Sequence, residues 1–520
     1  MFILHGCTAE GVHHNHIKGG IDVAQKFYLG LDQGTTSTTA LLLDSKWNVA
    51  ARGNKKHTQY YPKPGWIEHD PMEIWRAILE SIEMAMIESG AKPEEIACIG
   101  LDNQGETVVL WDKFTGVPIY NAIVWQDRRT ARYADSLTEK YSELIREKTG
   151  LMIDAYFSAT KIKWILDNVP GAKEKAKEGR IIAGTLDTWM IWKMTHGRIH
   201  VTDYSTASRT MLLNIHTGQW DDDILNILEI DKRILPEICD SSMVYGYTDP
   251  LDFFGAKIPI SGSVVDQQAA MFGQACYTPG SIKTTYGTGC FMLMNTGDKP
   301  VYSKNGLLTT IAWSLNGKKT FALDGGIYIA GAATQWLEQG IKIIEKASQT
   351  EEMAIAAKSN GGIYFVPAFA GLAAPHWDSY ARGMMIGITG GTSREEIVRA
   401  TLEAIAYQVK DNLDVMNMDA SIPIKIMRAD GGAVVNNFLM QFQADILGIA
   451  VDIPEINEAT ALGAAYLAAL GIGEFKSIHD LAANWKLAKR FEPKMGADER
   501  ESLLYNWHRA VERSKNWIQD

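Results

Sequence analysis

The stretch Leu29-Gly30-Leu31-Asp32-Gln33-Gly34-Thr35-Thr36-Ser37 constrains this chain more than any other. An apolar strand from Lys26 to Leu31 runs into an acid, a glycine and three hydroxyl residues, and the apolar run Ala40-Leu41-Leu42-Leu43 follows at once. The spacing leaves room only for a tight hairpin turn. Such a turn suits a nucleotide phosphate: Gly34 lets the backbone approach, N–H groups and hydroxyls donate to phosphate oxygens, and Asp32 can hold a Mg²⁺ shell. It is not a Walker A loop, because no Gly-Lys-Ser/Thr follows. An ordinary polar hairpin carries the same residues, so the motif needs a partner. Ile424-Lys425-Ile426-Met427-Arg428 reads as a second strand entering a Gly-rich turn, Ala429-Asp430-Gly431-Gly432-Ala433. Two such turns, far apart, suggest two related halves facing one ligand.

At 520 residues the chain exceeds one ordinary core, so two domains are expected. Hydrophobic content of 46% and charged content of 22% suit a globular protein with no membrane span. A net charge of −11 argues against nucleic acid or an anionic membrane as partner, so phosphate must be met by local donors and metal. The cysteines Cys7, Cys98, Cys239, Cys276 and Cys290 lack paired metal spacing, which fits free thiols in a reducing cytoplasm. Residues 1–25, with His13, His14 and His16 in a Gly-rich polar setting, read as a disordered leader rather than a metal site.

Strand and helix patterns alternate, so the fold class is α/β. Asp70-Pro71-Met72-Glu73 opens a helix with Ile74, Ile78, Ile82 and Ala85 on one face and Gly90 as its stop. Ser393-Arg394-Glu395-Glu396 is a capping box for a helix reaching about Met416. The small-residue region Gly262 to Gly289 marks a boundary near Gly273, which divides the chain into 26–272 and 273–520 with a ligand cleft between them.

Asp266-Gln267-Gln268 follows a strand-like segment, where a carboxylate can accept a proton from a substrate hydroxyl, or simply cap a helix. Thr284-Thr285-Tyr286-Gly287-Thr288-Gly289-Cys290-Phe291 is a third hydroxyl-and-glycine turn suited to phosphate. Ala330-Gly331-Ala332-Ala333-Thr334-Gln335 opens a helix small enough for a flat ring to lie on, or for a close helix–sheet contact. Gln104-Gly105-Glu106, Trp125 and Tyr156 offer an acid, an aromatic wall and a phenol, the groups a polyol needs, although core packing is the commoner fate of an aromatic.

From about residue 26 onward the chain resembles the FGGY carbohydrate kinases, and within them the branch acting on glycerol. The resemblance rests on Gly30 to Ser37, Tyr61 to Trp66, Tyr120 to Gln126, Val201 to Tyr204, Tyr286 to Met294, Val366 to Phe369, Ala374 to Asp378 and Asp430 to Asp445. It implies two ribonuclease-H-like domains of the actin-like ATPase kind flanking a central cleft, and a homodimer or homotetramer in the cytoplasm. It implies ATP-dependent phosphorylation of a polyol's primary hydroxyl, with glycerol going to sn-glycerol 3-phosphate. By the same resemblance Asp266 is the base, and Asp32 with Asp266 holds Mg²⁺. Thr35, Thr36, Ser37 and Thr288 match phosphate-contacting positions. Gly331, Gln335, Gly432 and Asn436 match the nucleotide pocket. Glu106, Trp125, Tyr156, Asp266, Gln267 and Phe291 match the polyol site.

Gly105 departs from the pattern, since the branch usually carries Arg before this Glu. Its loss removes a charged clamp at a cost of roughly 1.5–3 kcal/mol. Glycerol bound more weakly is one reading, and a longer acceptor such as a tetritol or pentulose is the other. Thr39 stands where many relatives have Arg. Asp252 occupies the position of a phosphorylatable His, and the Gly/Arg-rich loop tied to fructose-bisphosphate inhibition is missing, so neither control is expected. An actin- or chaperone-like ATPase shares the implied fold but needs no polyol pocket. A catalytically quiet binding protein needs neither Asp32 nor Asp266.

Overall fold

The computed structural model describes residues 26–378 and 380–518, so the expected leader lies outside the described residues. The first half is built on a six-stranded sheet. β1 (Phe27–Gln33), β2 (Ser37–Leu43) and β3 (Val49–Lys56) form an antiparallel meander. The helix α1 (Pro71–Ser89) follows. β4 (Ile96–Asn103) and β6 (Pro259–Val265) run parallel to β1, and β5 (Ser242–Tyr247) closes the edge, giving the order β5-β6-β4-β1-β2-β3. The helix α2 (Asp266–Gly273) begins where β6 ends.

The second half repeats this plan. β7 (Ile282–Tyr286), β8 (Cys290–Gly297), β9 (Leu308–Leu315) and β10 (Lys318–Ile327) are antiparallel neighbours. The short helix α3 (Gly331–Gln335) and the long α4 (Arg394–Ala420) come next. β11 (Ile426–Asp430) pairs parallel with β7, and α5 (Asn437–Leu447) leads to β12 (Ala450–Pro454). The last elements are α6 (Ala459–Gly471) and β13 (Leu487–Phe491), giving the order β9-β10-β8-β7-β11-β12-β13. Each sheet thus has a hairpin meander, two parallel strands and an antiparallel edge, which is the ribonuclease-H-like arrangement twice over. The repeat pairs the opening turn with Gly287–Gly289, not with Gly431–Gly432. The latter corresponds to the turn after β4 that holds Gly105.

Local sequence explains the helix limits. Asp70 accepts from the Met72 N–H at 2.7 Å, and Gly90 closes α1 in the left-handed region at φ 72°. Glu73 does not complete a capping box; its carboxylate turns to Thr58. Ser393 and Glu396 do complete one, and α4 runs to Ala420. The four described cysteines are free. No described helix is long and apolar enough to cross a membrane.

α6, Ala-Thr-Ala-Leu-Gly-Ala-Ala-Tyr-Leu-Ala-Ala-Leu-Gly, belongs to the second half by sequence but lies between the first sheet and α2. Gly30, Gly100 and Gly262 stand side by side on β1, β4 and β6. A Cβ built on them would come within 2.1 Å of the Ala461 oxygen, 1.9 Å of the Ala464 oxygen and 2.6 Å of the Ala468 nitrogen. On the helix's other side, a Cβ on Gly463 would stand 1.9 Å from the Ala269 oxygen of α2. Backbone therefore touches backbone on both sides of α6. Gly100→Ala and Gly463→Ala should each cost about 3 kcal/mol or more, because main chain cannot yield as a side chain does. Gly496→Ala, which meets open space, should stay within about 0.5 kcal/mol. Thermal unfolding of the three purified variants checks the ranking.

Candidate active site

The ends of three neighbouring parallel strands present three carboxylates. Asp32 is the penultimate residue of β1, Asp102 stands in register with it near the end of β4, and Asp266 is the first residue of α2, directly after β6. Asp266 is thus inside the helix, with Val265 at the cap position. Its carboxylate accepts from the Gln267 N–H at 2.7 Å and from Gln267 Nε2 at 3.2 Å. Burial and the charge of Asp266 raise the Asp32 pKa to about 6. Burial and the charges of Asp32 and Asp266 hold Asp102 well above the ordinary carboxylate range. Asp102 is fully buried, and neither of its oxygens has a hydrogen-bond donor. Burial also raises Asp266, against the opposing pull of Gln267, Lys283 and Arg209.

The opening hairpin folds as its residues imply. Gly34 N–H donates to the Ser37 carbonyl at 3.0 Å, and Gln59 and Gln104 side chains donate to the Thr35 and Gly34 carbonyls at 2.7 and 3.2 Å. These bonds brace the turn from behind and leave Thr36 exposed. Thr35 Oγ1 accepts from the indole of Trp125 at 2.9 Å, so the opening turn and this aromatic side chain are one unit. Trp125 meets Tyr156 edge to face, with centroids 5.6 Å apart. Thr39 sits behind the turn and accepts from Asn54 at 2.9 Å.

Across from these strand ends lies the second half. Lys283 on β7 donates to Gln267 Oε1 at 2.6 Å and to Thr285 at 3.0 Å. Burial lowers its pKa, and the charges of Asp430, Asp266 and Asp324 oppose that. Gln274, just past α2, donates to Asp430 Oδ2 at 2.7 Å. Phe291 sits opposite Thr285 in the β7–β8 hairpin, and Thr288 at its tip is exposed. Glu106 is buried and takes the Nε–H of Arg209 at 2.8 Å; Arg209 Nη1 lies 3.0 Å from Asp324 on β10. Sequence reasoning missed Arg209, Asp324, Lys283 and Asp102. Only the isolated charge of Asp102 in an apolar strand and of Lys283 before Thr284-Thr285 offered a signal.

The remaining candidates fall into two groups. Gly432 is exposed with open space where a side chain would be, and Gln335 is exposed. Gly331 and Asn436 have structural duties. A Cβ on Gly331 would stand 2.6 Å from the Gly287 oxygen, so its small size serves a helix–hairpin contact. Asn436 caps α5 through the Leu439 N–H at 2.9 Å and donates to Thr350 at 3.1 Å. Asp252 pairs with His196 at 2.7 Å.

Comparison with known proteins places this geometry. The model for the N-terminal domain of the FGGY family of carbohydrate kinases matches residues 27–273, and that for the C-terminal domain matches residues 282–472. The chain belongs to the FGGY family of carbohydrate kinases. It is 60% identical over 493 residues to glycerol kinase 2 of Thermotoga maritima, covering 95% of this chain and 99% of that protein. It is 56% identical to the glycerol kinase of Caldanaerobacter subterraneus subsp. tengcongensis, covering 95% and 100%. The crystal structure of Plasmodium falciparum glycerol kinase with ADP is similar with a TM-score of 0.88 at 38% identity, covering 95% of this chain and 99% of that one.

The crowded carboxylates have a measurable cost. A carboxyl whose folded pKa is raised is strained only when ionised, so the penalty is absent below about pH 4 and grows as pH rises through and beyond 6. Asp102→Asn removes one such charge. In metal-free buffer it should stabilise the fold by about 1–3 kcal/mol at pH 8 and by much less at pH 5, as read from paired denaturation curves. An equal gain at both values would contradict this account.

Proposed function

We propose that the chain transfers the γ-phosphoryl group of ATP to a primary hydroxyl of glycerol, forming sn-glycerol 3-phosphate. The observation that carries this reading is the meeting of Asp266–Gln267 with Lys283 at the junction of the two halves. It joins a carboxylate base, a phosphate hairpin on either side, and the pocket of Glu106, Trp125 and Tyr156. A plain ATPase switch has no use for that pocket. The relatives named as glycerol kinases and the ADP bound to the Plasmodium enzyme support the same donor and acceptor.

Asp266 takes the proton of the attacking hydroxyl, and its anchoring at the start of α2 by Gln267 fixes the line of approach. Thr35, Thr36, Ser37 and Thr288 donate to the phosphate oxygens, while Gly432 and Gln335 border the nucleotide and Gly331 and Asn436 shape its pocket. Glu106, Tyr156 and Gln267 bond the acceptor's hydroxyls between the walls of Trp125 and Phe291. A hard dication fits the corner, because Asp102 leaves two buried oxygens without donors beside Asp32. Among the described residues no three ligating side chains converge on one point. That suits Mg²⁺, which takes one or two carboxylates and completes its shell with water and phosphate oxygens. Asp32 and Asp266 would hold it, and it would neutralise the β- and γ-phosphate charge. Domains divided near Gly273, closing over the cleft, would keep water from the reaction.

Gly105 is the one observation behind a competing reading, an acceptor of four or five carbons. Its position is tighter than the missing side chain suggests, since a Cβ there would lie 2.9 Å from Val265 Cγ2. Restoring Arg at 105 therefore requires Val265 to move, and Gly105→Arg is best made together with Val265→Ala. A panel of glycerol, tetritols and pentuloses decides the acceptor: glycerol should give the highest kcat/KM. A tenfold advantage for a longer acceptor, about 1.4 kcal/mol, would replace glycerol by that acceptor.

Two further outcomes are expected. Asp266→Asn should abolish transfer while ATP binding, followed by calorimetry, stays within about threefold. The base must be ionised, and burial raises its pKa, so the acid limb of kcat/KM should lie above the usual carboxylate range. Lys283 pulls that pKa down, so Lys283→Met should move the limb to higher pH. A limb that does not move would separate Lys283 from the chemistry.

A further inference from the structure

Arg209 is a buried cation to which no chemical role has been assigned above. It is 4% exposed and follows a short helical turn, Tyr204–Ala207, whose N-cap Asp203 accepts from Ser205 and Thr206 N–H groups. Burial opposes its charge, but Glu106, Asp324 and Tyr156 outweigh burial and hold the guanidinium charged. A guanidinium carries five N–H donors. One of them, Nε–H, makes an aligned bond, to Glu106. Nη1 lies 3.0 Å from Asp324 Oδ2 yet has no aligned hydrogen-bond partner, and Asp324 Oδ1 has none either.

Each buried polar atom without a partner is costly, and here an unpaired donor and an unpaired acceptor belong to the two members of one ion pair. A donor and an acceptor left open side by side are what one hydroxyl satisfies, since it accepts at oxygen and donates through hydrogen. The surroundings are those of the acceptor pocket. The guanidinium carbon is 5.8 Å from the Tyr156 ring centre and 5.7 Å from that of Phe157, and Glu106 is its direct partner. Gly105 adjoins it too: a Cβ at 105 would lie 3.9 Å from Arg209 Cγ.

We propose that Arg209 and Asp324 together bind a hydroxyl of the polyol acceptor, and that Arg209 supplies the guanidinium clamp that position 105 does not. The proposal rests on the polyol-kinase reading above and adds its specificity-determining residues. It also makes the acceptor a bridge, because Arg209 lies in the segment matched by the N-terminal family domain and Asp324 in that matched by the C-terminal one.

The test uses the purified full-length chain, Arg209→Lys and Asp324→Asn, with glycerol and with 1,2-propanediol and 1,3-propanediol, each lacking one hydroxyl. Asp324→Asn should raise KM for glycerol tenfold or more with kcat changed less than threefold and ATP affinity unchanged. For one of the two diols the penalty should vanish, because the hydroxyl that Asp324 meets is gone. Arg209→Lys should show the same pattern; if it does not fold, the Asp324→Asn diol comparison decides alone. A lowered melting temperature with KM for glycerol within twofold, or an equal penalty on all three acceptors, overturns the assignment. If the unmodified chain phosphorylates no polyol, the failure lies with the reading beneath it.

Discussion

The contact of α6 with backbone on both its faces is the constraint on which the site depends. Side chains between a helix and a sheet normally set a spacing of several ångströms. Here Gly30, Gly100 and Gly262 remove them from three adjacent strands, and Gly463 removes one from the helix face toward α2. The sheet, α6 and α2 are then locked at main-chain distance. Asp32, Asp102 and Asp266 are at the ends of the elements so locked, and their relative positions inherit that rigidity. A catalytic carboxylate must stay within a fraction of an ångström of its working place, and close packing of main chain provides that more firmly than flexible side chains do.

Charge is distributed around that frame with a clear asymmetry. The strand ends of the first half crowd three acids together, and the second half answers with Lys283 through Gln267. Arg209 is the first half's own cation at the pocket, and it is held by an acid from each half. Among the described residues Asp32 and Asp102 form no ion pair, whereas Glu106 and Asp324 share Arg209. The two acidic clusters thus have different electrostatic surroundings within a chain whose net charge is −11.

Much of this was legible in the sequence. The Gly34 turn, the Asp70 cap with the Gly90 stop, the Ser393 box and the strand entering Gly431 are local features, and local chemistry governs them. The doubled architecture was legible too, but its internal correspondence was misread: glycine content joined the 431–432 turn to the opening loop, while strand order joins it to the turn at Gly105. Arg209 could not be read, because Glu106 lies 103 residues away and nothing in Ser208-Arg209-Thr210 marks a pocket. Gly331 and Asn436 match nucleotide-pocket positions by family resemblance, and the small size of Gly331 also suits a flat ring. Helix–hairpin approach and helix capping ask for the same residues, and only tertiary neighbours tell the uses apart.

The place of α6 also sets an order of assembly. The first sheet is composed of residues early in the chain, yet the helix that covers its glycine stripe ends at Gly471. On a ribosome the early half emerges with that face bare, and its three acids remain unfixed until almost the whole chain has been made. Hydrophobic collapse of the early half is therefore separated in time from completion of its chemistry. A truncated product that lacks α6 would have the Gly34 hairpin and Asp266 in sequence but no rigid relation between them.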